Sequence, residues 1–124
     1  MKKPTIIIII ILLAIGAYLT ILKQEAPVEE ETLKGFLVMG HEARTFTSCD
    51  DAEELWVLGD STAYSQMLSE YQSWVSGQED PYSRLFVVLE GIITDAPIDG
   101  FGADYNYGLR ATQLISIDPS GACI

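Results

Sequence analysis

Residues 5–22, TIIIIIILLAIGAYLTIL, carry no charge and only three polar side chains, Thr5, Tyr18 and Thr20. A run this apolar cannot share the interior of the single small domain that the rest of a 124-residue chain can build, so it divides the molecule in two. Lys2 and Lys3 precede it and QEAPVEEET follows it soon after, the positive–apolar–polar order of a secretory leader. Pro4 to Leu22 would reach about 28 Å as a helix at ~1.5 Å per residue, matching a hydrocarbon core of ~30 Å. Ala14-Ile15-Gly16 offers a peptidase cut before Ala17, yet Tyr18 to Leu22 carry the apolar run past that point. Residues 1–23 are therefore read as a signal peptide or an N-terminal membrane anchor, with the uncleaved anchor favoured. No cysteine lies in or just after the run, so lipid attachment is not expected. The two lysines orient the leader with its start in the cytoplasm. The expected location is a single-pass protein of the bacterial inner membrane with its domain in the periplasm, or a periplasmic one if the leader is cut. Residues 24–32 read as an acidic linker, and 33–124 as the folded domain.

All eighteen acidic residues follow the apolar run, against five basic ones (Lys23, Lys34, Arg44, Arg84 and Arg110), a net of −13. Phosphate backbones are bound through lysine and arginine with release of counterions. So acidic a surface excludes nucleic acid as a partner and disfavours anionic headgroups. Solubility is the ordinary reason for such charge.

From Leu33 the apolar pattern has a period of two. It predicts strands at 33–39, 43–48 and 54–58, the first apolar enough to be covered on both sides, joined by short turns at Gly40-His41-Glu42 and Cys49-Asp50-Asp51. The period then changes. Tyr64, Met67, Leu68, Tyr71, Trp74 and Val75 share one helical face, with Asp60 or Ser61 as the expected cap and Gly77 as the stop. That stripe is the face a helix needs to cover a sheet, not a cofactor box. SRLFVVLEGIITD predicts a fourth strand with a bulge or bend at Gly91. Residues 95–107, DAPIDGFGADYNY, form a loop, and 108–118 a fifth strand with Leu109, Ala111, Gln113, Ile115 and Ile117 on one face. Three strands, a helix and two strands is the order of a five-stranded OB-like small barrel, mainly β, with one α-helix between strands 3 and 4. A helix-capped open sheet fits nearly as well.

GFLVMGHEARTFTSC, an aromatic third strand, LSEYQSW in the helix and LFVVLEGII together resemble the small periplasmic OB domains of NlpE-like envelope lipoproteins. The matching positions are Gly35, Phe46, Cys49, Leu68 and Gly91, spread over Leu33 to Ile117, although Leu68 stands only three residues before Tyr71 where the family has Leu-x-x-x-Tyr. The chain departs from that family in having no cysteine to lipidate. The resemblance implies an envelope role, in stress sensing or surface adhesion, and its matched residues are fold residues that carry no activity across.

Cys49 and Cys123 lie 74 positions apart in a domain expected outside the cytoplasm, which predicts one disulfide, with free thiols as the alternative. Closing so long a loop contributes on the order of 4 kcal/mol. Two cysteines and one histidine do not make a zinc site, and the acid spacing of the long loop is unlike an EF-hand, so no metal and no cofactor are expected. His41, the single histidine, stands seven and eight residues from Ser48 and Cys49, roughly 23–27 Å in an extended strand at ~3.3 Å per residue, too far for a local triad. Glu42 and Arg44 read as an ion pair on one strand face. In an OB barrel the loops after strands 1 and 4 flank the ligand surface. This makes His41, Glu42, Arg44, Phe101, Tyr105 and Tyr107 the candidate ligand-binding residues. The chain is thus expected to be a non-enzymatic envelope module, held at the membrane through its N-terminal segment and binding a protein or small ligand. The alternative is a small envelope hydrolase using His41 with a loop carboxylate.

Overall fold

The computed structural model describes residues 3–22 and 29–124. Helix α1 runs over Lys3–Leu22. Its side chains are described from Ile6 to Tyr18, where the large apolar ones are exposed all round the helix. Among the described residues no helix is long and apolar enough to cross a membrane. A span by the longer run Pro4–Leu22 remains an expectation from sequence. The start of the acidic linker and the residues just before it lie outside the described residues, and its last two residues belong to the first strand.

Five strands form the folded part: β1 (Glu31–Met39), β2 (Arg44–Ser48), β3 (Glu54–Val57), β4 (Leu85–Asp95) and β5 (Tyr107–Asp118), with helix α2 (Tyr64–Val75) between β3 and β4. They close into a barrel in the order β1-β2-β3-β5-β4, with β4 returning to β1. All pairings are antiparallel except β3 with β5, where Trp56 faces Gly108 and Val57 faces Leu109. This is the mainly β, five-stranded barrel expected from the element order, here fully closed, and it excludes the helix-capped open sheet. Closure removes the free sheet edges that short strands would otherwise expose.

Alternation decides what points inward. Leu33, Leu37 and Met39 of β1, Phe46 of β2, Leu55 and Val57 of β3, Leu85, Val87 and Leu89 of β4, and Leu109 and Ala111 of β5 are buried together. β1 is buried on one face only, since Phe36 and Val38 are half-exposed. A Cβ on Gly35 would collide with the Thr47 carbonyl and the Phe46 ring, so glycine lets β1 curl tightly onto β2.

The expected phase of β5 fails between Ala111 and Ile117, and Ile117 packs against the core as expected. Val88 pairs with Ser116, Leu89 with Leu114, Glu90 with Gln113 and Gly91 with Ala111, so Ile115 and Thr112 are each an extra residue on β5. Each bulge flips the alternation. Leu114 turns toward the core, Ile115 is 47% exposed, and Gln113 is exposed.

Helix α2 plugs the barrel with Met67 and Tyr71, flanked by Tyr64, Leu68, Trp74 and Val75. Its start differs from the capping signal. Ser61 donates its hydroxyl to the Leu58 carbonyl at 2.9 Å instead of accepting from the helix, and Ala63 is the N-cap. The Ala63 N–H bonds the Ala111 carbonyl at 3.1 Å, so β5 sets the helix entry. The tip of Tyr71 is satisfied by donation to the Ser83 carbonyl at 2.6 Å.

Cys49 and Cys123 are bonded, with Cα atoms 5.4 Å apart. The link ties the turn after β2 to the tail after β5. Gly121 of that tail lies directly against the Phe86 ring.

Candidate functional site

The parallel pairing of β3 with β5 decides where the long loop lands. Because Gly108 sits beside Trp56, the residues just before β5 return over the outer face of β3. There the ring of Tyr105 meets that of Trp56 at 5.4 Å between centroids. Phe101 to Asp104 wind into one 3-10 turn, and Gly102 within it is buried. A Cβ on Gly102 would stand 2.6 Å from Trp56 Cδ1 and 2.8 Å from Pro97, so only glycine lets the turn lie on the indole. Asn106 donates its amide to Glu53 Oε1 at 3.2 Å, a second tie between the loop and β3.

A cleft of about 520 Å³ opens along this seam, lined by Glu42, Glu53, Glu54, Phe101, Asp104, Tyr105 and Asn106. Glu53 and Glu54 owe their position to the tight turn before β3. There Ala52 adopts φ 56°, and the Asp51 carboxylate accepts the Glu53 N–H at 3.0 Å. Four of the lining residues are carboxylates, and among the described residues no basic side chain lines the cleft. The described cations are engaged elsewhere. Arg110 pairs with Asp60 at 3.3 Å, Arg84 lies over the Phe36 ring at 4.5 Å, and Lys34 lines a different groove. Burial pushes the Tyr105 hydroxyl above its ordinary value of 10.0, and the negative charges of Glu54 and Asp104 push the same way. Among the described residues no three of His, Cys, Asp and Glu are grouped so as to hold a metal ion.

Of the residues singled out from sequence, Glu42, Phe101 and Tyr105 meet in this cleft. His41 is exposed on the β1–β2 turn and is not among the lining residues. Arg44 opens β2 and lies over the Tyr64 ring of α2 at 5.5 Å. The expected Glu42–Arg44 pair does not form, because Glu42 belongs to the turn and the strand begins only at Arg44. Tyr107 starts β5 opposite Asp95, 47% exposed and outside the cleft. Trp56, Glu53, Glu54 and Asn106 were missed from sequence. A tryptophan at the outward position of ELWV, between buried Leu55 and Val57, was the available signal.

A larger groove, about 710 Å³, runs between the C-terminal tail and β1/β4, past Lys34, Phe86, the disulfide and Ile124. None of the sequence candidates lies in it.

No family model matches the chain, and no curated protein matches it. Among solved structures it is similar to the Cpx pathway activator NlpE from Escherichia coli, with a TM-score of 0.53 and 19% sequence identity. The match covers 82% of this chain and 49% of that one, so the chain spans about half the length of that protein. The likeness is one of fold.

Proposed function

We propose that the chain is a non-enzymatic binding module of the bacterial envelope, held at the membrane by its N-terminal apolar run and engaging a partner through the cleft between β3 and the β4–β5 loop. The observation that carries this reading is the meeting of Glu42, Phe101 and Tyr105 in a cleft of about 520 Å³, where the Tyr105 ring rests against Trp56. Aromatic side chains left at a cleft mouth are the groups that contribute most when a partner covers them, and Phe101 is 62% exposed there. The disulfide supports an oxidising compartment, where such bonds persist. The sequence run Pro4–Leu22 is long enough to anchor the domain outside the inner membrane. The fold likeness to the Cpx pathway activator NlpE agrees with the sequence resemblance that implies an envelope role. His41, on which a hydrolytic reading would depend, is not a lining residue.

The test is affinity capture from envelope membranes by the full-length chain in detergent. A Phe101→Ala/Tyr105→Ala variant is expected to lose the captured partner, whereas His41→Ala keeps it. Loss with His41→Ala and retention with the aromatic variant would overturn the reading.

A further inference from the structure

The same cleft also indicates the chemistry of what it binds. Its apolar elements are the exposed Phe101 ring and the half-buried Tyr105, tilted against Trp56. Its polar elements are Glu42, Glu53, Glu54 and Asp104, with the Asn106 amide donating to Glu53 and the Tyr105 hydroxyl near Glu54 and Asp104. Carboxylates left without a cation on a partly covered surface keep a negative field that an incoming positive group relieves. Rings beside those carboxylates add attraction for a cation lying over their faces. The carboxylates are not grouped so as to hold a metal ion, which leaves an extended cationic side chain as the fitting occupant. Guanidinium suits both elements at once, because it is planar, stacks on rings and donates in a fork to carboxylates. This chain places two of its own arginines on rings in the same way, Arg84 on Phe36 and Arg44 on Tyr64.

We propose that the cleft accepts an arginine-bearing segment of a partner polypeptide, the guanidinium lying against Phe101 and Tyr105 and facing Glu53 and Glu54. This rests on the reading of the cleft as the binding surface and adds the partner's charge and side-chain type. A volume of about 520 Å³ suits a short segment rather than a folded domain.

The experiment measures binding of fluorescein-labelled octa-arginine, octa-lysine and octa-glutamate to the full-length chain in neutral detergent. Octa-arginine is expected to bind more tightly than octa-lysine, to weaken as salt rises, and octa-glutamate not to bind. Glu53→Gln/Glu54→Gln is expected to weaken octa-arginine about tenfold, and Phe101→Ala about threefold. The charge-matched Glu70→Gln/Glu79→Gln, on the exposed side of α2 and in the turn segment that follows it, is expected to change it less than about twofold. Equal losses from the two carboxylate pairs, or no effect of Phe101→Ala, would reduce the binding to diffuse charge attraction and overturn the proposal. Absence of octa-arginine binding overturns it as well. If that absence occurs while Phe101→Ala/Tyr105→Ala still loses its envelope partner, the chemistry falls and the binding surface stands. If both results are negative, both fall.

Discussion

Tyr71 and Tyr105 are the same residue on two parts of one barrel, and their surroundings have little in common. Tyr71 is 1% exposed, its ring packed into the core and its hydroxyl bonded to the Ser83 carbonyl at 2.6 Å. Tyr105 is half-buried on Trp56, in a cleft beside Glu54 and Asp104. In the plugged interior apolar surface is covered and the Tyr71 tip has an acceptor, and among the described residues the Tyr64 hydroxyl is the one buried side-chain polar atom without a partner. The loop seam instead leaves Phe101 in solvent and four carboxylates without a cation among the cleft-lining residues. A fold tends to leave surface of that kind where something else completes it. Substitutions in the interior should therefore cost stability, and substitutions at the seam should cost binding.

The largest expected effect is Phe46→Ala. Phe46 is fully buried at the centre of the barrel, and its removal is expected to lower unfolding free energy by about 3–5 kcal/mol in a urea titration. Replacing both cysteines with serine follows, at about 2–5 kcal/mol for a link closing 74 residues; the same titration with and without reductant reads it. Gly102→Ala lies on the border between the two regions, with a Cβ 2.6 Å from the Trp56 indole. It is expected to cost about 1–3 kcal/mol as the turn is pushed away, with loss of Trp56 fluorescence contrast on binding.

Tyr71→Phe is expected to cost about 1 kcal/mol near neutral pH, and it carries a pH signature. Burial, and then the negative charge of Asp80, raise the Tyr71 hydroxyl above its ordinary 10.0. The folded state thus favours the protonated form. The resulting stability is complete below pH 10 and is lost as pH climbs through the higher folded-state value. Thermal melts should show that alkaline decline in the parent and a shallower one in Tyr71→Phe. Phe101→Ala is the smallest, within about 0.5 kcal/mol of the parent, because its ring is mostly in solvent. A large loss there would dissolve the contrast between the two regions.

The interior was legible in the sequence because it rests on local periods. Leu37, Phe46, Leu55 and Val57 alternate inward, and Met67 and Tyr71 fall one turn apart on the helix. β5 was legible as far as Ala111 and again at Ile117. Bulges at Thr112 and Ile115 arise from how β5 accommodates β4, and neither residue announces itself as extra. The helix start was misplaced because Ser61 bonds backward to Leu58, a competing use of the hydroxyl that a capping signal does not exclude. The seam was half legible. Fold order pointed to the two loops, which brought in Glu42, Phe101 and Tyr105. Glu53, Glu54 and Trp56 join them only through the parallel pairing of Trp56 with Gly108, a contact across 52 positions with no local signature. The same loop argument brought in His41 and Arg44, and geometry sends one to solvent and the other to Tyr64.

The most direct measurement is site-specific photocrosslinking of the full-length chain in living cells. One probe replaces Phe101 at the cleft, and another replaces Ile115, a similarly exposed apolar position on β5 outside the cleft. A partner adduct at position 101 and none at 115 is the expected result. An adduct at 115 with none at 101 would contradict the claim that this molecule meets its partner at the loop seam.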